Sequence, residues 1–357
     1  MVSLTRNLTL CIAVALTACA PAGDEIVVLA RDDDGRFSLE PRVLDVESVD
    51  PLVSAHFTLI EGASLRMAGD TLVVEGGSPF SARLTEGTPR APLDHECLVA
   101  LTAIQHFEDA HAFFVRMGVG DAGVAPERSR IFLYPRMLGD SGLPISTYSD
   151  NAGFASVIDG FVLAPEVQLG DADVPLATSP LIATHELGHA MIHRLTRRRT
   201  IDDPHYASLH EGLSDVFAAA QHDAPDVLAD IGEHELFAAG ARDLRVERAL
   251  TPAQLDALGS SHYRNPYPVG TLIARTFWLA AERTLDTHGS RRAALEHVAS
   301  LAVAALASFP RDAALHIVPF FDHLLRLPSV DATHHAAFCD SLRETFALVI
   351  AESEECR

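Results

Sequence analysis

Two histidines four residues apart, His185 and His189, with Glu186 beside the first, are the side chains of this sequence best placed to do chemistry. On a helix of about 3.6 residues per turn they fall one turn apart on one face, so two imidazoles can converge on a single ion. Glu186 turns to the flank of that pair, where a carboxylate reaches a water beside the ion rather than the ion itself. The spacing therefore predicts metal-assisted attack by water, with Zn2+ as the ion and Glu186 as the general base.

A catalytic zinc takes three protein ligands and leaves a position for water, so a third donor is needed. His193 lies about 12 Å along the helix from His185, too far for one ion to touch both. A pattern with a Gly three residues past the second His and a further His three beyond fails, because Ile192 and Leu195 occupy those places. Glu211, in His210-Glu211-Gly212-Leu213-Ser214-Asp215, can cross from a second helix to complete a His, His, Glu set. Asp215, one turn on, can hold the outer nitrogen of a ligand His. The alternative for Glu211 is a capping box, Ser208-Leu209-His210-Glu211, in which it only ties down the start of its own helix.

The elements that must position these residues are legible on either side. Ser179 suits a helix N-cap, Pro180 the first helical position, and Leu181, Ile182, Met191 and Leu195 recur at helical spacing, so the His pair sits on a buried helix. Arg194 and the arginines at 197–199 suit the C-terminal end of that helix. Upstream, Asn151 to Ala155 and Phe161 to Ala164 read as a hairpin, and Arg130 to Tyr134 as a strand. Leu93 to Met117 reads as an amphipathic helix with Leu98, Leu101, Ile104, Phe107 and Phe114 inward and Gly118 as its stop. Its His95, His106 and His111 are expected at the surface or satisfied in the core. Apolar runs from Ile26, Phe57 and Thr71, broken by Gly, Pro and Asp, predict strands for 24–90, either as a small β domain or as the outer part of one larger sheet. From Ser290 three helices follow, bounded by Gly289, Pro310 and Pro328, with His334 and His335 expected to face solvent.

His185-Glu186-Leu187-Gly188-His189, followed downstream by Glu211-Gly212-Leu213-Ser214-Asp215, resembles the gluzincin zinc metallopeptidases of thermolysin and fungalysin type. The resemblance covers roughly residues 93–285. It implies His185, His189 and Glu211 as zinc ligands, Glu186 as the catalytic glutamate and Asp215 as the aspartate that orients a ligand imidazole. It also implies that Asn151 and Ala152 lie on an edge strand that pairs with the backbone of a peptide or protein substrate, and that Arg242 holds the carbonyl of the residue after the scissile bond. Fungalysin relatives place an oxyanion-binding His in Pro-His-x-x-Gly. Here Tyr267 stands in that place in Pro266-Tyr267-Pro268-Val269-Gly270, so Tyr267 or, second, His262 is expected to donate to the oxyanion. The fold implied is α+β and thermolysin-like, with a strand-rich N-terminal half, a helical C-terminal half and the zinc cleft between them.

Residues 1–18 read as a secretory signal, and Leu16-Thr17-Ala18-Cys19 resembles a bacterial lipoprotein box in which Cys19 is acylated. An ordinary signal cut after Ala18 or Ala20 is the alternative. Ala20 in place of an Asp points to the outer membrane or cell surface, so the membrane partner is expected through the lipid anchor alone. The organisation expected is signal 1–18, strand-rich segment 19–90 and catalytic region 91–357, divided into halves 91–199 and 200–357. With 27 basic residues, all Arg, against 49 acidic ones, nucleic acid is excluded as a partner. Cys339 and Cys356 flank the last helix and can pair in an oxidising compartment, leaving Cys97 free, with another pairing among the three left open by the sequence. The function expected is zinc endopeptidase; the other classes kept open are a zinc-binding inactive pseudoprotease and an envelope structural or binding lipoprotein.

Overall fold

A strand of alternating character, Phe57–Ala68, is the spine of the N-terminal half. Phe57, Leu59, Ala63 and Leu65 are all buried, every second residue pointing into the core. The structure, a computed structural model, describes residues 25–32, 36–68, 71–124, 128–138, 152–156, 158–163, 176–197, 203–229, 241–260 and 265–357. Its strands are β1 (Glu25–Arg31), β2 (Phe37–Val43), β3 (Val46–Val49), β4 (Leu52–Ser54), β5 (Phe57–Ala68), β6 (Thr71–Pro79), β7 (Ser129–Leu133), β8 (Arg136–Leu138), β9 (Ala152–Ala155) and β10 (Gly160–Leu163). β1 and β2 form a two-stranded sheet of their own; the rest form one sheet with path β3-β4-β5-β7-β10-β9, to which β6 and β8 add along β5. β5, β7 and β10 run parallel, while β9 turns back antiparallel on β10 and, among the described residues, ends the path as an edge strand. Strands β3 to β6 from before residue 90 thus share one sheet with strands after it, while β1 and β2 stand in a sheet of their own.

The helices are α1 (His95–Arg116), α2 (Asp121–Val124), α3 (Pro180–Thr196), α4 (Pro204–His222), α5 (Pro252–Leu258), α6 (Tyr267–Arg283), α7 (Leu285–His288), α8 (Arg291–Ser308), α9 (Ile317–Leu325) and α10 (Ala332–Thr345). The chain is therefore mixed α and β, strand-rich in its N-terminal half and helical in its C-terminal half. Among the described residues no helix is long and apolar enough to cross a membrane.

Local sequence explains where the helices begin and end. Ser179 accepts from the Ile182 N–H with Pro180 at the first turn of α3, and Asp203 accepts from the Tyr206 N–H with Pro204 opening α4. α3 and α4 stop at Arg197 and Asp223, both left-handed, and α1 is followed by Gly118 at φ 92°. The α4 start corrects the capping-box alternative: Ser208 and Glu211 lie inside a helix already nucleated at Asp203-Pro204, so Glu211 caps nothing. Along α1, Leu101, Ile104, Phe107 and Phe114 are buried as expected while Leu98 is only half-buried.

An aromatic seam joins sheet to helices. Phe107 of α1 packs on Phe57 of β5 (5.5 Å between ring centres) and on Phe161 of β10 (4.7 Å), and Phe114 packs on Phe217 of α4 (5.0 Å). The Cys339–Cys356 disulfide closes the C-terminal end onto α10, and Cys97 is free and buried. His334 corrects the expectation of a solvent-facing pair: it is 3 % exposed, because α10 begins at Asp331 and turns His334 inward toward α8, while His335 is half-buried.

The helices of the C-terminal half approach closely where glycines face each other. A methyl group on Gly188 of α3 would meet the Ser214 backbone of α4 at 3.1 Å, and one on Gly212 would meet Ile273 Cβ of α6 at 2.8 Å and collide with the Gly270 carbonyl. Gly270 in turn lies against Glu211 Cβ, at 3.0 Å for an added methyl. Gly212→Ala is expected to force α4 and α6 apart and to lower the free energy of unfolding by about 1–3 kcal/mol, read from urea or thermal melts; an unchanged midpoint would show that the helices have slack.

Candidate metal centre

α3 and α4 bring three donor atoms together. His185 Nε2 and His189 Nε2 lie 2.9 Å apart, and the Glu211 carboxylate reaches both, Oε2 at 3.4 Å from His185 Nε2 and Oε1 at 3.6 Å from His189 Nε2. Ligands held about 2.1 Å from a tetrahedral ion stand about 3.4 Å from one another, so a zinc-sized ion suits the space between the two imidazole nitrogens and the Glu211 carboxylate, which meets each imidazole through a different oxygen. Glu211 thus lies on the two imidazoles rather than in bulk water.

The outer ring nitrogens are held as ligand histidines require. His185 Nδ1 is 2.9 Å from Asp215 Oδ1, and His189 Nδ1 is 3.1 Å from Ser214 Oγ and in short contact with His210 Nδ1, whose ring stacks on His189 at 4.6 Å. The Asp215 carboxylate lies against His185 Nδ1 at ion-pair distance without a hydrogen bond being formed, and its charge favours a proton on that side of the ring. Two bare nitrogens 2.9 Å apart repel unless a cation lies between them, either a proton or a metal. Burial and Arg242 push the His185 imidazole down, but Asp215 and Glu211 outweigh them and its pKa rises to about 9. Burial pushes His189 well down and takes His210 to about 4.

Arg242 is 4 % exposed, and a buried guanidinium must be paired. Its Nε donates to Asp215 Oδ2 at 2.9 Å and its Nη2 to Asp215 Oδ1, with Glu211 Oε2 3.4 Å away and the Tyr267 ring under its Cζ at 5.0 Å. A backbone bridge between Asp226 and Asp243, and the Leu244 N–H to Pro225 carbonyl bond of 2.8 Å, fix this stretch against the end of α4.

The two carboxylates differ in state. Burial would raise Glu211, but His189, His185 and Arg242 hold it well below the usual carboxylate range. Glu186 is raised to about 7, chiefly by burial, with Glu211 adding to it while His185, Arg242 and the Phe154 N–H of β9 oppose it. Its Oε2 is buried and, among the described residues, has no hydrogen-bond partner. One of its oxygens lies within 4.8 Å of the two imidazole nitrogens, on the flank of the ligand triangle. Tyr267, first residue of α6 and half-buried, is raised well above its usual value by burial and by the Glu211 charge, so the phenol keeps its proton.

Of the residues singled out in the sequence, His185, Glu186, His189, Glu211, Asp215, Arg242 and Tyr267 are thus brought together. Ala152 opens the edge strand β9, its backbone paired with Leu163. Asn151, His262 and Cys19 lie outside the described residues. Sequence reasoning missed His210 and Ser214 as the supports of His189. Their signal was position: on a helix carrying Glu211 and Asp215 inward, neighbours one residue to either side of that face also point at α3. No protein-family model matches the chain, and no curated protein matches it.

Removing the Arg242 cation leaves Asp215 buried without its partner. Arg242→Met is expected to cost about 3–5 kcal/mol of stability by urea unfolding; a loss within the error of a surface substitution would mean that water already reaches the pair.

Proposed function

We propose that this chain is a zinc-dependent endopeptidase of gluzincin, thermolysin-like type, exported and held to the outer membrane or cell surface by acylation of Cys19, with its cleft between the strand-rich and helical halves. The observation that carries the reading is the triangle of His185 Nε2, His189 Nε2 and the Glu211 carboxylate, with the orphan oxygen of Glu186 at its flank. With an ion in place of the His185 proton the donor set would be two neutral imidazoles and one carboxylate, which suits zinc and leaves a corner for water. Zinc held there would polarise the scissile carbonyl and make water a competent nucleophile near neutral pH.

The protein's own groups do the rest. Glu186 receives the proton of the attacking water at its unfilled carboxylate oxygen and passes it to the leaving amine. Tyr267, kept protonated, donates to the oxygen that gains charge at the attacked carbonyl, in the role the related enzymes give to His. His262 is the second choice for it. β9 offers the free side of an edge strand, to which an extended peptide adds as a further strand, with Asn151 and Ala152 as the pairing residues. Arg242, engaged with Asp215 and Glu211, keeps the ligand carboxylate and the aspartate in register; contact with the substrate carbonyl would be a second task for the same guanidinium.

A zinc-retaining protein that binds without cleaving is the second reading, favoured by Tyr267 standing where the related enzymes have His. The two separate cleanly. Glu186→Gln is expected to lower hydrolysis of a mixed peptide library by about 10²–10⁴-fold with zinc still bound at wild-type stoichiometry. A wild-type protein that holds zinc and cleaves nothing, with or without chelator, would overturn the peptidase and leave the binder. Tyr267→Phe is expected to lower kcat by about 10²-fold or more with KM little changed; equal falls in kcat for His262→Ala alone would move the oxyanion role to that residue.

A further inference from the structure

Three further histidines, distant from one another in sequence and absent from any motif, meet at a corner of the helical half. His288 ends α7, His297 lies in the second turn of α8 and His334 in the first turn of α10. Their rings pack at 4.4 Å (His297–His334), 4.7 Å (His288–His297) and 5.1 Å (His288–His334), and one nitrogen of each lies within 4.8 Å of the others. None of the three belongs to the centre between α3 and α4.

The hydrogen bonding favours a cation at their focus. Asp331, the N-cap of α10, takes the His334 N–H at 2.9 Å and the His334 Nδ1 at 2.8 Å through the same oxygen. That carboxylate fixes the proton on Nδ1 and turns a bare Nε2 toward His288 Nε2, 2.9 Å away. This is the carboxylate–imidazole arrangement that orients metal-bound histidines. His297 Nε2 is buried and, among the described residues, has no hydrogen-bond partner, which costs free energy unless something fills the position. His288 Nε2 and His334 Nε2 share one proton at 2.9 Å, and a metal bound by all three rings takes the place of that proton. An ion bound at about 2.05 Å needs nitrogens about 3.3 Å apart, a spacing that small rotations of these rings would reach.

We propose that His288, His297 and His334 form a second metal site, for a first-row divalent ion such as Zn2+, Co2+, Ni2+ or Cu2+, that staples α7, α8 and α10 together. Three imidazoles without thiolate or clustered carboxylate select borderline metals over Mg2+ or Ca2+. His288 and His297 are only half-buried, which leaves a route from solvent.

The full chain, stripped by chelator and titrated with Zn2+ against a chromophoric competitor, is expected to take up two equivalents. His185→Gln/His189→Gln is expected to keep one, and that residual site should show Co2+ absorption bands of a nitrogen-rich centre. Adding His297→Gln should abolish it or weaken it at least tenfold, and adding Asp331→Asn instead should weaken it by about tenfold or more. His297→Gln, at a half-buried ring, is the variant to rely on if His334→Gln fails to fold. A His185→Gln/His189→Gln protein that binds no Zn2+ or Co2+ overturns the proposal, as does a residual equivalent indifferent to His297→Gln. Because the two sites are silenced by different substitutions, failure here leaves the centre between α3 and α4 untouched.

Discussion

Three donor atoms can share one ion only if the helices that carry them pass closer than ordinary side chains permit. Gly188 on α3 and Gly212 on α4 create that approach, the first against Ser214 and the second against Gly270 of α6. Interior packing is dense and yields little, so the spacing of α3, α4 and α6 is set by backbone rather than by adaptable side chains. Everything at the centre inherits its precision from there. Glu211 and Gly212 are consecutive, so the residue that supplies the carboxylate and the residue that fixes its distance cannot move independently, and Tyr267 rides on α6 only three residues before Gly270.

Charge at the centre is arranged to match. Glu211, Asp215 and Arg242 are buried as a group, each neutralising another, which is the condition under which buried charge is tolerated. Glu186, a few ångströms away in the same buried region, has no cation of its own. The same side-chain type is therefore held ionised in one place and pushed toward neutrality in the other. Environments that drive two carboxylates apart in this way assign them different work, one to hold and one to exchange protons.

Local signals in the sequence were sufficient for much of this. The i, i+4 spacing of His185 and His189, the Ser179-Pro180 start of α3, the Gly118 stop of α1 and the hairpin of β9 and β10 are short-range features, and each appears where its residues predict. The Cys339–Cys356 pairing was one of the choices the sequence left open, and the packing of the last residues onto α10 selects it. The capping-box alternative for Ser208 and Glu211 fails because Asp203, accepting from the Tyr206 N–H, with Pro204 after it starts α4 earlier and leaves both residues inside the helix. Contacts between distant elements were legible only where the paired motifs and the resemblance supplied them, as for Glu211, Asp215, Arg242 and Tyr267. His210 and Ser214 support His189 only because α3 and α4 cross as they do, and His288, His297 and His334 come from three helices whose packing no spacing encodes. His334 was expected outside because a His-His pair in a polar helix start carries no burial signal; Asp331 turns one ring in by accepting from it.

The sheet contributes to the centre through one strand. β9 is the last strand of its path, and it lies beside α3 with the Phe154 N–H reaching the Glu186 carboxyl and the Phe154 ring against His193 and Arg194. Phe154 also meets Phe161, and Phe161 meets Phe107 of α1 and Phe57 of β5, so the edge strand is anchored through the aromatic seam to the centre of the sheet. An edge strand usually frays, because half its backbone groups lack partners. Here its inner side is held by β10 and its side chains by α3, which fixes its distance from the one carboxylate whose oxygen is unfilled. In the proposed peptidase that distance sets where an added peptide strand would place its carbonyl. Register along β9 and the position of Glu186 are then one constraint, and a substitution that loosens Phe154 would disturb proton transfer without touching a metal ligand.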